Sequence, residues 1–255
     1  MLQWKILQEI IDYERGLFIW SRRPCRSFVF KKGGERMKTK NTKRDIAIYG
    51  AGGFGREVLC LINAINQKEP IYNFIGFFDD GLPVGTVVSE YKVIGGINEL
   101  NYYNTPLSIA IAIGNPQKIE SIVEKIRNEK IEFPNLIAPN VVIFDQSKIK
   151  FGKGNIVTFN CILSLDVKIG DFNILNCGVI VGHDISIGNY NVINPAVRIS
   201  GAVDMGNSNF LGVNSIILQE KKIGNNTTVG ANSVIMRHTK DNCLYVGNPA
   251  VLMNL

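Results

Sequence analysis

At 255 residues the chain can bury a full core, in one large unit or two modest ones. Its five cysteines, Cys25, Cys60, Cys161, Cys177 and Cys243, are an odd, scattered set without a CxxC pair, which argues against a disulfide framework and a zinc ribbon and fits reduced thiols in a cytoplasmic protein. The net charge of +6 suggests a nucleic-acid partner only until it is located: residues 1–44 hold twelve Lys/Arg and four Asp/Glu, a balance of +8 that leaves the remainder at −2.

Taken in chain order, residues 1–42 form a basic extension that carries both tryptophans, Trp4 and Trp20. It reads either as a basic amphipathic helix around Leu2 to Phe18 that touches a membrane surface or a partner, or as an upstream extension with translation beginning at Met37. The second reading is preferred. Nowhere does an apolar run reach the roughly 18 residues of an integral membrane span, and the N-terminus lacks the apolar region and small-residue cleavage site of a signal peptide.

Residues 43–136 alternate strand and helix. An apolar strand from Asp45 to Tyr49 runs into Gly50-Ala51-Gly52-Gly53-Phe54-Gly55, after which Val58, Leu61, Ile62 and Ile65 recur at helical spacing. A second strand, Ile71 to Phe78, ends in Asp79-Asp80; a third, Ile109 to Ile113, ends in Gly114-Asn115, and a helix is predicted over Gln117 to Lys130. This order predicts a parallel, doubly wound sheet. Gly50, Gly52 and Gly55 satisfy GxGxxG in the strand-turn-helix setting that lets a backbone approach phosphate at a helix N-terminus. Asp79 or Asp80 stands where an acid can bind a ribose hydroxyl. A dinucleotide fold needs two such halves, and the length available holds one, so the region reads as a truncated Rossmann-like unit for a single nucleotide, with or without a sugar, rather than a site of hydride transfer.

Beyond residue 136 the period becomes six. Every sixth residue from Phe151 to Ile235, fifteen in all, is large and apolar in a chain that is 45% hydrophobic, so chance would fill fewer than half of the positions. The next residue is glycine in eight cases, Gly182 and Gly188 among them. A six-residue repeat matches neither a helix nor long strands and predicts a parallel β-helix of short strands, about five coils of eighteen residues, over 137–255. The aliphatic position points inward, and Gly, Asn and Asp gather at corners, with Asn191, Asn194, Asn207 and Asn209 among the many polar residues of the prism surface.

The hexads, the GAGGFG loop ahead of them and Tyr245-Val246-Gly247-Asn248-Pro249-Ala250 after them resemble the hexapeptide-repeat acetyltransferases of the sialic acid O-acetyltransferase group (NeuD/PglD-like), which includes N-acetyltransferases acting on UDP-linked amino sugars. The resemblance covers roughly Lys43 to Leu255. It implies a left-handed β-helix, acetyl-CoA as cosubstrate, no metal, and a cyclic homotrimer with sites between subunits. It implies a catalytic histidine at His183 with Asp184 as its acid, a nucleotide-sugar site at Gly50, Gly52, Gly53, Gly55, Asp79, Asp80, Gly114 and Asn115, and a coenzyme A site at Gly212, Gly230, Ala231, Gly247, Asn248, Pro249 and Ala250. One departure is the lack of the second histidine that some relatives carry shortly after the first; the stretch here is Asn189-Tyr190-Asn191-Val192.

His183 and Asp184 follow inward-pointing Val181 and Gly182, so they fall on a corner and need no buried charge. An imidazole, ordinarily titrating near pH ~6.5, can take the proton of an attacking amine or hydroxyl, and the carboxylate can hold its other nitrogen. A backbone N–H near Gly201 or Gly206 is the expected oxyanion donor. His238, past the repeats, reads as a solvated turn residue, and Cys161 and Cys177 as packing residues. The expected activity is acetyl transfer from acetyl-CoA to the amino group of a nucleotide-linked, UDP-type amino sugar in surface glycan synthesis. Its rivals are O-acetylation of sialic acid or a related hydroxyl, and a non-catalytic nucleotide-sugar-binding scaffold. A zinc lyase on the same β-helix needs three imidazoles per metal, and the chain has two histidines.

Overall fold

The computed structural model describes residues 43–253; the expectations for residues 1–42 lie outside the described residues. The chain first builds β1 (Arg44–Tyr49), α1 (Gly53–Lys68), β2 (Tyr72–Phe78), β3 (Val87–Val88), β4 (Tyr91–Gly95), α2 (Ile97–Asn101), β5 (Leu107–Ile111), α3 (Pro116–Lys125) and β6 (Ile131–Glu132). These strands form one sheet in the order β3-β4-β2-β1-β5-β6, parallel except for the β3–β4 hairpin. All five residues of β5 are buried, as befits a strand covered on both faces. From β1 the chain moves to β2 on one side and later returns to β5 on the other. The carboxyl ends of β1 and β5 therefore flank a topological switch point, where open α/β sheets bind ligands.

Two predicted elements shift. The third strand is Leu107–Ile111 rather than Ile109 to Ile113. The last helix stops at Lys125 instead of Lys130, because Ile126 turns extended and the Asn128 amide, bonded to the carbonyls of Leu100 and Tyr103, holds the next residues in a loop. The β3–β4 hairpin was not predicted: Ser89 and Glu90 both adopt left-handed backbone (φ 47° and 71°) without the glycine or asparagine that signals such a turn.

From Leu136–Ile137 onward, strands of two or three residues recur and pair in parallel with the strand one coil ahead, as Ile156 with Ile174, Leu163 with Val181 and Ile169 with Ile187. Three sheets result: a first face through Ile174–Leu175, a second through Ile180–Val181 and a third through Ser186–Ile187, the faces of a left-handed parallel β-helix. The second face has six strands, so the column has six coils rather than about five. The first coil escaped the hexad count because a 3-10 turn at Gln146–Lys148 adds two residues: Ile143 pairs with Leu163, twenty residues on, whereas Phe151 already pairs with Ile169, eighteen on.

From Gly154 onward the corners are turned the same way. Fourteen residues at intervals of six, from Gly154 to Asn232, have φ between 51° and 72°, and only Gly154 and Gly178 among them are glycine. The residue after each left-handed corner, Lys221 apart, is also buried, giving the hexads a second core position. On the first face that position is Asn155, Asn173, Asn191, Asn209 and Thr227, each with no exposure. Asn191 and Asn209 therefore belong to the interior and not to the prism surface. Their amides form a ladder in which Asn173 N–H bonds Asn155 Oδ1, Asn191 N–H bonds Asn173 Oδ1 and Asn209 N–H bonds Asn191 Oδ1, at 2.9, 2.9 and 3.0 Å. Burial of these polar groups is tolerated because most of them find a partner in the neighbouring coil; the Asn209 Nδ2 is left without one among the described residues.

The outward strand position gives the three faces different roles. On the first face it is Ile156, Ile174 and Val192, all buried in one core with α1, β1 and β5 of the α/β region. The third face shows Lys150, Lys168, Ser186, Asp204 and Lys222, all exposed. The second shows Val142, Ile162, Ile180 and Ile216, interrupted by Arg198. The column ends where the strand Leu244–Gly247 joins the first face and the strand Ala250–Met253 folds back antiparallel on it. Among the described residues no helix is long and apolar enough to cross a membrane.

Candidate active site

The sequence-predicted residues fall at three places. The first is a cavity of about 400 Å³ at the switch point, lined by Gly50, Gly52, Gly53, Asp79, Asp80 and Gly114 of the expected set. Asn115 caps α3 instead, its side chain accepting the Lys118 N–H at 2.9 Å. The glycines differ in what they do. Gly50 has φ +107°, and a Cβ there would meet the Ala112 carbonyl oxygen at 2.7 Å. A Cβ on Gly55 would lie against the Gly50 carbonyl oxygen, so Gly55 lets α1 start hard against β1. Nothing crowds Gly52, which is the uncapped N-cap of α1, a helix with no acidic residue in its first turn. The helix thus presents free N–H groups and its positive end to the cavity, an arrangement suited to phosphate.

Asp79 and Asp80 are both committed within the chain. Asp79 accepts the Ala51 N–H and the Gly81 N–H, each at 2.8 Å, and so ties the glycine loop to the turn after β2. Asp80 accepts the Tyr49 hydroxyl at 2.5 Å and the Ile97 N–H at 2.8 Å. Burial, the Asp80 hydrogen bond and the charges of Asp80, Asp79 and Glu99 push the Tyr49 hydroxyl far above the ordinary tyrosine range. It stays a neutral donor. The two acids shape the cavity wall and keep some acceptor capacity toward it. The lining residues that escaped the sequence reading include Phe54 and Ile122, which offer apolar surface, and Lys118, which brings a cation. Lys118 sits one turn into a helix whose start was predicted, and a basic residue in the first turn was the available signal.

The second place is the corner between the second and third faces. Val181 is buried, Gly182 follows, and Asp184 takes the left-handed conformation (φ 57°) that swings its carboxylate back toward His183. His183 Nδ1 and Asp184 Oδ2 lie 2.8 Å apart, with side-chain exposures of 64% and 63%. The ring lies on the next coil: a Cβ on Gly201 would come within 2.6 Å of its Cε1 and Nε2. Glycine at 201 is what leaves room for the imidazole. Among the described residues the Gly201 N–H has no acceptor, whereas the Gly206 N–H, the other expected donor, is taken by the Ile223 carbonyl at 2.9 Å. The corner therefore pairs an oriented, outward imidazole with an adjacent free N–H.

The third place is the opposite edge of the second face. Gly212, Gly230 and Ala231 turn the chain from first face to second, and Gly247, Asn248, Pro249 and Ala250 form the turn between the last two strands, with a cis Asn248–Pro249 bond. A Cβ on Gly212 would meet the Ala231 nitrogen at 2.5 Å, so this edge is stripped of side chains where successive coils touch. Within one chain, then, the cavity, the imidazole and the glycine edge are not brought together. His238 is exposed, and its Nδ1 accepts the Lys222 N–H at 2.9 Å, capping the last strand of the third face. Cys161 is buried, with its thiol pushed up to about 11 by burial, and Cys177 is exposed, against its reading as a packing residue.

Residues 45–126 match the PglD N-terminal domain family. No curated protein matches the chain. Three solved structures have a TM-score of 0.75 with it, and the chain covers 83% of its own length in each match. A histidine-to-asparagine variant of perosamine N-acetyltransferase from Caulobacter crescentus, in complex with CoA and GDP-perosamine, is 26% identical over 97% of its own chain. The acetyltransferase domain of PglB from Neisseria gonorrhoeae, in complex with acetyl coenzyme A, is 28% identical, and WeeI from Acinetobacter baumannii 27%, each over 100% of its chain. With its glycine-loop α/β region followed by a hexapeptide β-helix, the chain resembles the NeuD/PglD-like acetyltransferases in both parts.

Proposed function

We propose that the protein transfers an acetyl group from acetyl-CoA to the amino group of a nucleotide-linked amino sugar, in the cytoplasm and for surface glycan synthesis. The observation that carries this reading is the His183–Asp184 corner. An imidazole held by a carboxylate at 2.8 Å lies on a glycine whose N–H is free, in a chain that also has a phosphate-type cavity. In the reaction His183 Nε2 takes a proton as the sugar nitrogen attacks the thioester carbonyl. A C–N bond forms, the Gly201 N–H meets the developing oxyanion, and the C–S bond breaks to release the CoA thiol, which receives the proton. Asp184 keeps Nδ1 as the donor and steadies the imidazolium. Gly50, Gly52 and Gly53 hold the diphosphate with help from Lys118, while Gly55 lets the helix start close enough to present its N–H groups, and Gly212, Gly230 and the turn at 247–250 bind coenzyme A.

Those groups lie on separate edges of one chain, which supports a second part of the reading: a homotrimer packed through the second face. Val142, Ile162, Ile180 and Ile216 form an apolar stripe there, flanked by exposed Phe144, Leu165 and Leu218. A trimer would bury this stripe and set the imidazole edge of one subunit beside the glycine edge of the next. N-acetylation is preferred over O-acetylation because relatives of this architecture include an enzyme named a perosamine N-acetyltransferase.

Purified protein with acetyl-CoA is expected to release thiol with a UDP- or GDP-linked amino sugar and not with sialic acid, and the preferred nucleotide identifies itself in the same assay. Turnover by a His183→Ala variant at the wild-type rate would sink the proposal and favour the scaffold reading.

A further inference from the structure

The corner between the third and first faces differs from the other two. Its left-handed positions, eighteen residues apart, are Gly154, Phe172, Tyr190, Ser208 and Asn226, where the other corners carry Asp, Asn, Ala or Glu at most positions. Left-handed backbone is costly for an aromatic residue, so Phe172 and Tyr190 need a compensating contact. They have one: their rings stack at 5.6 Å with a 7° interplanar angle and pack into the core shared with the α/β region. One coil higher the seam turns polar and meets α3. Ser208 Oγ donates to Glu120 Oε2 at 2.9 Å, and Gln117 Nε2 donates to the Asn226 side chain and, at 3.4 Å, to the Ser208 carbonyl. Ser208 is buried, and burial together with the carboxylates of Glu120, Asp171 and Glu124 raises the Tyr190 hydroxyl above its ordinary range.

The helix making these bonds is the one that walls the nucleotide cavity. Gln117 and Glu120 face the β-helix, while Lys118 and Ile122 line the cavity. Resting on the acetyl-transfer reading above, we propose that Glu120, with Gln117, is a positioning residue. It locks the nucleotide cavity to one level of the column, and so sets how far along the column a tethered sugar amine can reach. The contact touches neither substrate nor the imidazole. It acts on an acceptor delivered through its nucleotide and not on one that diffuses in freely, because only the former takes its position from α3.

The test compares the wild-type enzyme with Glu120→Ala, Ser208→Ala and the conservative Glu120→Gln on two acceptors: the nucleotide-linked amino sugar chosen by the thiol-release assay, and the same amino sugar without its nucleotide. For the linked acceptor Glu120→Ala and Ser208→Ala are expected to lose about 10- to 100-fold in kcat, the cost of a misplacement of order 1 Å, with KM for acetyl-CoA unchanged. Glu120→Gln should restore most of the loss, and the unlinked sugar should react at an unchanged rate. Equal losses on both acceptors, or none, would overturn the proposal. A wild-type chain that acetylates no nucleotide-linked sugar would sink the functional reading alone. The lock is then judged by amide hydrogen exchange in α3, which speeds up in Glu120→Ala if the contact holds the helix and is unchanged if it does not.

Discussion

His183 and Asp184 show how a single corner separates activity from stability. Both side chains are more than 60% exposed, and a surface pair so placed stabilises a fold by about 0–1 kcal/mol. Asp184→Asn is therefore expected to leave the unfolding midpoint nearly unchanged while lowering kcat, and His183→Ala to cost about 10²–10⁴-fold in kcat. Circular dichroism melts alongside thiol release check both. Gly201→Ala adds a methyl where the imidazole now lies, so the ring must move; kcat should fall with the sugar KM preserved. Lys118→Met should act in the opposite way, raising KM for the nucleotide sugar about tenfold, as expected for a lost charge-assisted bond, without changing kcat. The histidine was legible in the sequence because the hexad register places residue 183 on a corner. Its seat was not. That Gly201 of the next coil floors the ring requires knowing which residues stack, and the register alone offered Gly201 and Gly206 as equals until the hydrogen bonds distinguished them.

At the scale of elements, the strands of the column carry so few residues that stability has to come from what is stacked between coils. Asn173 accepts the Asn191 N–H and donates to the Gly188 carbonyl, with no exposure to water. Asn173→Ala leaves that N–H buried and unpaired, and should destabilise by about 1–3 kcal/mol in urea unfolding with activity per folded molecule retained. The first core position of each hexad was plain from its aliphatic period; the second was hidden, because on the first face it is polar and asparagine ordinarily signals a turn. The α/β region was read in the right order of elements, with the glycine loop in place. Its β3–β4 hairpin was missed because Val87 to Lys92 lacks the residues that usually turn a two-residue loop.

For the whole molecule, the three faces divide the labour: one meets the α/β region, one meets water, and one is left with an apolar stripe. Ile180→Lys, at the centre of that stripe, is expected to convert a trimer to a monomer in sedimentation velocity and to abolish activity while the monomer still folds. The sequence register predicted a prism but not which side was apolar, since that depends on the residue preceding each inward aliphatic, read face by face. The uniform left-handed corners carry one more consequence. Because fourteen corners recur at intervals of six and coils match at intervals of eighteen, the chain's length along the column is quantised. Losing or gaining a single residue inside a coil would turn every later aliphatic toward solvent, while excising a complete circuit would only shorten the tower by one storey. Natural variants of this protein should therefore differ in length at the 3-10 turn near Gln146 or at the ends, and elsewhere only by whole storeys.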